Sequence, residues 1–157
     1  MRTSFPDLIL TNGTVVDGTG NPPINKAIIV IRNGIIQSIA TDDVPAPDVQ
    51  VIDVEGRTIL PGFFNTHVHR AYKADVLRAW AQEGVTTVRD LGASLRTDQF
   101  RKRDRLMQYN RHARLVTAGP MVSTIGGYGT LKVTSPEHAR EEVRALAQAG
   151  EIGRAHV

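Results

Sequence analysis

His67 and His69 stand one residue apart in the stretch FFNTHVHR, residues 63–70, and are two of only five histidines in the chain. Imidazole serves as a metal ligand, a proton carrier near neutral pH or an ordinary hydrogen-bonding group. Spacing narrows the choice. In an extended strand, residues i and i+2 share a face. Both rings therefore project together while Val68 turns the other way, and their nitrogens can converge on one ion at the ~2.0–2.1 Å of a zinc–imidazole bond. Asn65 lies on the same face as a hydrogen-bonding neighbour. By itself, His-x-His also fits two polar residues making ordinary hydrogen bonds at a strand end, so the surrounding elements decide.

Upstream of the pair, the chain reads as short strands and turns. LILTNGTVV, 8–16, has apolar runs on either side of Asn12-Gly13, and AIIVIRNGIIQSIA, 27–40, repeats the arrangement around Asn33-Gly34. Asn-Gly suits the positive φ angles of a type I′ turn, so both stretches are expected to be β-hairpins. TGNPP and the proline-rich DDVPAPD read as loops. VQVIDV alternates, and Gly56 marks a further turn. The expectation for residues 1–61 is a small antiparallel β unit.

After Pro61-Gly62 the rhythm changes. GFFNTHV predicts a short buried strand. AYKADVLRAWAQEG predicts a helix with Ala74, Leu77, Trp80 and Ala81 on one face and Gly84 at its end. VTTVRDLG is a second strand, and TDQFRKRDRLMQYNRH a second helix, capped by Thr97 or Asp98, with a thin apolar side. RLVTAG is a third strand and STIGGYGT a glycine-rich loop. SPEHAREEVRALAQAG is a helix with Ser135 as N-cap, Pro136 at its first position and Ala139, Val143, Leu146 and Ala147 on one face, closed by Gly150. Alternation of strand and helix implies parallel strands with crossover helices, as an open sheet or a barrel, and such folds build their sites at the C-terminal strand ends. His67 and His69 sit at such an end.

Bulk properties exclude several classes. A chain of 157 residues with 41% hydrophobic content suits a globular protein. With no cysteine, disulfides and thiolate metal sites are ruled out. The net charge of +3 is modest. Much of the basic character lies in Arg101, Lys102, Arg103, Arg105, Arg111 and Arg114, with only Phe100 and Tyr109 nearby and no reading motif. A solvated helix face is therefore expected rather than a nucleic-acid surface. No apolar run approaches the ~20 residues of a membrane span, and the first residues lack the features of a secretory signal. A soluble cytoplasmic protein is the expectation.

The order of a β segment, then LPGFFNTHVHR, a helix and GVTTVRDLGA, with TAGPMVSTIGGYGT further on, resembles the amidohydrolase superfamily, and within it the imidazolonepropionase-like and prolidase-like group. The likeness runs from about Leu8 to Gly150. It implies an α/β fold: an N-terminal β-sandwich segment in residues 1–61, then the first three β/α units of a (β/α)8 barrel in 62–150. It also implies that His67 and His69 bind a divalent metal, usually zinc, one or two ions in the complete protein. Two positions depart from the family pattern. Asn65 stands where an aspartate is common, and Tyr128 in GGYG stands where a histidine is common; Tyr128 keeps a hydrogen-bond donor. Arg89 and Asp90, at the end of the second strand, are candidates for substrate contact, as is Tyr128, although an Arg–Asp pair is equally often structural. His112 and His138 are expected at the surface.

A complete barrel takes about 250 residues. The family's remaining ligands (a lysine after the fourth strand, histidines from the fifth and sixth) and the aspartate of the eighth, the expected general acid/base, would follow position 150. Residues 151–157, EIGRAHV, match the translation of a common sequencing adapter and are read as an artefact, with the chain as an N-terminal fragment, inactive by itself. The expectation for the parent is hydrolysis of a carbon–nitrogen bond in a small cyclic amide or dipeptide-like substrate, by water activated on the metal. No nucleic-acid or membrane partner is expected, and homo-oligomerisation is compatible with the reading. The alternative is a non-catalytic α/β binding module whose basic helix contacts an anionic partner, which steep salt dependence without a metal requirement would distinguish.

Overall fold

A computed structural model describes residues 7–42, 48–92, 98–109 and 111–148. The middle of DDVPAPD, the cap candidate Thr97, Gly150 and the 151–157 segment lie outside the described residues. The chain divides between Pro61 and Gly62 into two compact units.

The first unit is a five-stranded sheet of β1 (Leu8–Val15), β2 (Ile24–Arg32), β3 (Ile35–Ala40), β4 (Gln50–Asp53) and β5 (Thr58–Ile59). The strand order is β3-β2-β1-β4, with β5 also pairing β1. Asn33 and Gly34 turn β2 into β3 with φ of 50° and 75°, as a type I′ hairpin requires. Asp7 clamps that turn: its Oδ1 accepts from the Asn33 amide at 3.0 Å and its Oδ2 from Arg32 at 2.7 Å.

Two expectations for this unit are overturned. Asn12-Gly13 is not a hairpin turn but lies inside β1, where the pairing with β2 shifts register on both sides of Gly13. Positive φ at Asn12 (60°) serves a bulge as well as a turn. Gly13 is needed there because a Cβ would come within 2.7 Å of Ile59 Cδ1 and 2.9 Å of Val54 Cγ2. Nor is the unit purely antiparallel. β4 and β5 both run parallel to β1, which makes β1 a central strand of a mixed sheet. Val15, Ala27 and Ile29 form the buried core, with Leu10, Ile24, Ile31 and Ile59 packed against it.

In the second unit, β6 (Phe63–Val68), α1 (Ala74–Gln82), β7 (Val85–Asp90), α2 (Asp98–Leu106) and β8 (Arg114–Thr117) follow in turn. The strands form a parallel sheet in the order β6-β7-β8. Leu77 is fully buried and lies with Val68, Ala71, Tyr72, Val88, Ala113 and Leu115 in the core, and Trp80 and Ala81 from the same helix pack against them. The α1 face read from spacing is thus the packed one. Gly84, at φ 81°, ends the helix. The Ala113 amide donates to the Leu77 carbonyl at 2.9 Å and joins α1 to the start of β8. From α2 and the residue after it, Leu106 and Met107 reach the core, in keeping with its thin apolar side.

The remaining elements are β9 (Val122–Thr124), β10 (Leu131–Val133) and α3 (Pro136–Gln148). β9 and β10 pair in parallel on either side of the glycine-rich loop, a pairing that strands of three residues are too short to announce. The Ser135 Oγ accepts from the His138 amide at 3.1 Å, the N-cap bond expected of it. Two burial expectations fail. None of the described α3 side chains is buried, and Val143 is 44% exposed. β6 is an edge strand whose only buried side chain is Val68; Phe64 is 70% exposed because the face it occupies has no covering layer among the described residues. No described helix is long and apolar enough to cross a membrane.

Candidate metal centre

β6, β7 and β8 run parallel, so their C-terminal ends gather at one edge of the sheet, and that edge carries the sequence-derived candidates. His67 is the penultimate residue of β6 and His69 follows its end, both exposed to solvent. Their ring centroids are 5.2 Å apart with an interplanar angle of 72°. Two imidazoles bonded at about 2.0–2.1 Å to one tetrahedral ion place their centroids about 5 Å apart, a separation close to the one seen here. Arg70 adopts φ 60° and turns the chain sharply after the second histidine. Asn65 Oδ1 accepts from the His67 amide at 3.1 Å, steadying the backbone of the pair rather than a ring.

Asp90, at the end of β7, is fully buried. Its Oδ2 accepts from the Ala71 amide at 2.8 Å and its Oδ1 from the Gly92 amide at 2.9 Å. One carboxylate thereby holds the segments that follow β6 and β7. Arg89 donates from Nε to the Thr66 carbonyl at 2.9 Å and ties β7 to β6. Beneath them Tyr72 Oη bonds Thr117 Oγ1, both groups buried. The backbone continues the same fastening, with Leu91 N donating to Val68 O and Ala118 N to Asp90 O, each at 3.0 Å. The strand ends thus form a rigid platform. Tyr72, Gly92 and Thr117 were not singled out from sequence, since a lone tyrosine, glycine or threonine carries no periodic signal.

Tyr128 is 88% exposed in the loop between β9 and β10. Among the described residues no hydrogen bond joins it to the histidines. Lys132 Nζ steadies the base of that loop by donating to Ser123 Oγ at 3.3 Å and to the Gly127 carbonyl. His112, expected at the surface, is half-buried, and its Nδ1 is enclosed without a hydrogen-bond partner. His138 is also half-buried; it faces Glu142 at 3.4 Å and Thr134 Oγ1 at 3.3 Å. On α2, Arg103 pairs with Asp104 at 2.8 Å and lies 5.7 Å from the Phe100 ring centroid, so part of that helix's positive charge is met locally.

Among the described residues no group of three or more His, Asp or Glu could hold an ion. The candidate donors are the two imidazoles of His67 and His69, and a catalytic zinc normally takes three protein ligands and a water.

No family model matches the chain. Over 90 residues it is 37% identical to an uncharacterized protein of Mycobacterium tuberculosis, covering 52% of this chain and 14% of that one. It is 39% identical over 64 residues to dihydropyrimidinase 1 of Caenorhabditis elegans, covering 41% of this chain and 12% of the relative. Against the dihydroorotase of Caldanaerobacter subterraneus subsp. tengcongensis the identity is 42% over 62 residues, 40% of this chain and 14% of that enzyme. Among solved structures, an amidohydrolase superposes with a TM-score of 0.72 at 23% identity, over 93% of this chain and 45% of its own length. A prolidase-like protein of Bifidobacterium longum gives 0.71 at 25%, over 95% and 40%. A Xaa-Pro dipeptidase gives 0.68 at 22%, over 92% and 45%. The chain therefore spans less than half the length of these structures.

Proposed function

We propose that the chain is part of an amidohydrolase-superfamily protein and that the whole protein is a metal-dependent hydrolase of carbon–nitrogen bonds, with His67 and His69 as two of its metal ligands. The observation that carries this reading is the pair of imidazoles 5.2 Å apart at the C-terminal edge of a parallel sheet. β6 through β8, with α1 and α2, are read as the opening repeats of a (β/α)8 barrel, a fold whose chemistry gathers at that edge. Relatives named dihydropyrimidinase and dihydroorotase, and a structural neighbour named Xaa-Pro dipeptidase, point to a cyclic amide or a dipeptide as substrate.

When bound, a divalent ion, zinc in this proposal, polarises a carbonyl and makes water a competent nucleophile near neutral pH. The chain's own residues supply its seat. His67 and His69 donate imidazole nitrogens; Asn65 holds the His67 backbone, and Asp90 holds the segments that follow β6 and β7. Arg89 is engaged by the Thr66 carbonyl through Nε, and its remaining guanidinium N–H groups are proposed to meet a substrate oxygen. Tyr128 is proposed to reach substrate from its exposed loop. Two imidazoles are fewer than a catalytic zinc takes, so residues 1–157 by themselves are proposed to be inactive.

The test is metal analysis and turnover of the full-length protein. His67→Ala and His69→Ala should each lower zinc content and turnover together, whereas Val68→Ala, whose side chain faces the core, should keep its metal and lose only stability. Full zinc occupancy in both histidine variants would refute the ligand assignment.

A further inference from the structure

We propose that Gly92 is a positioning residue for His69, present as glycine so that the imidazole can lie against the backbone of the loop after β7. The inference rests on the metal-ligand reading of His69. A Cβ built at Gly92 would stand 2.5 Å from His69 Nδ1 and 3.3 Å from its Cε1. The first distance is well inside van der Waals contact, so a side chain of any kind displaces the ring. Gly92 is not among the glycines with positive φ. Its backbone is one that other residues can adopt, so what the chain uses here is the missing side chain rather than glycine's conformational freedom.

Asp90 supplies the second half of the device. The same buried carboxylate accepts from the Gly92 amide at 2.9 Å and from the Ala71 amide, two residues beyond His69, at 2.8 Å. The wall of the ring's seat and the chain that carries the ring are thus held to one anchor. The Nδ1 edge of His69 lies against Gly92, which leaves Nε2 as the nitrogen free to meet an ion. Because His69 is exposed, its ring can swing aside at little cost in stability. A substitution at Gly92 should therefore damage metal binding far more than folding, a split that a merely structural glycine would not produce.

The experiment is a zinc competition titration on the full-length protein as wild type, Gly92→Ala, His69→Ala and the double variant, with thermal midpoints measured alongside. Gly92→Ala should weaken zinc binding about 10- to 100-fold, the range for lost ligand support, and shift the midpoint by no more than a few degrees. Its cobalt-substituted form should show an altered visible spectrum. In the His69→Ala background Gly92→Ala should weaken binding no further, because residues acting through one ligand are not additive. An equal further loss in that background overturns the proposal, as does unchanged affinity in Gly92→Ala when His69→Ala has lost zinc; in either case the ligand assignment stands. If His69→Ala itself keeps full affinity, the ligand reading fails and the proposal falls with it.

Discussion

Replacing Asp90 by alanine tests how the strand-end platform is held. The side chain is fully buried and accepts from two backbone amides, Ala71 at 2.8 Å and Gly92 at 2.9 Å. A buried N–H left without its partner costs about 1–3 kcal/mol. The Ala71 amide is enclosed and should fall toward the upper end; the bond at Gly92 is only partly buried, so water can replace some of what is lost. Asp90→Ala should therefore destabilise the full-length protein by roughly 2–5 kcal/mol. Asp90→Asn keeps one oxygen acceptor and turns an NH2 toward the other amide, so its cost should be roughly half of that. Urea denaturation gives the two energies, and hydrogen exchange locates them. At ~1.4 kcal/mol per factor of ten, the Ala71 amide should exchange at least tenfold faster in Asp90→Ala. The Ala113 amide, bonded to the Leu77 carbonyl on the far side of α1, is the internal reference for global unfolding. An alanine variant within about 0.5 kcal/mol of wild type, the usual range for surface changes, with unchanged exchange at Ala71 would refute this account. If turnover were lost in such a variant, Asp90 would return to the role of a substrate contact.

Leu77→Ala empties a fully buried site on α1 between residues of the parallel strands, and should cost about 2–5 kcal/mol. The exposed Val143→Ala on α3 should stay within about 0.5 kcal/mol; similar urea midpoints for the two variants would contradict the burial assignment. The hydrogen bond from Arg32, and then that from the Asn33 amide, hold the Asp7 carboxyl below the usual carboxylate range. A lowered folded-state value means that its contribution is complete above the ordinary carboxylate pKa and disappears as pH falls through the lowered one. Exchange at the Asn33 amide, corrected for the intrinsic pH effect, should therefore accelerate only in acid. Asp7→Asn should abolish that dependence, and a flat profile in the wild type would count against the clamp.

What could be read from the sequence followed from short-range geometry. The period of two along a strand singled out His67 and His69 as a pair, although β6 shifts register between Asn65 and Val68 and His69 lies past its end; the 3.6-residue period of α1 placed Leu77, Trp80 and Ala81 together. Positive φ at Asn33-Gly34 gave a turn because the strands on either side of it, β2 and β3, pair directly with each other from Arg32 and Ile35 outward. Each of these depends on residues within one or two turns of each other, where backbone sterics dominate. Asn12-Gly13 has the same local preference and became a bulge, since β4 and β5, more than thirty residues away, pair alongside β1 and press Ile59 and Val54 against Gly13. Phe64 reads as core by hydropathy, yet burial needs a covering layer that no strand specifies for itself. The centre divides in the same way. The candidate pair was legible from its spacing, whereas the Ala71 amide bond to Asp90, the Tyr72–Thr117 bond and the seat that Gly92 leaves for His69 arise only once the parallel strands lie side by side. Hydrogen bonds between residues 19 to 45 positions apart leave no periodic trace, so the tertiary structure alone decides them.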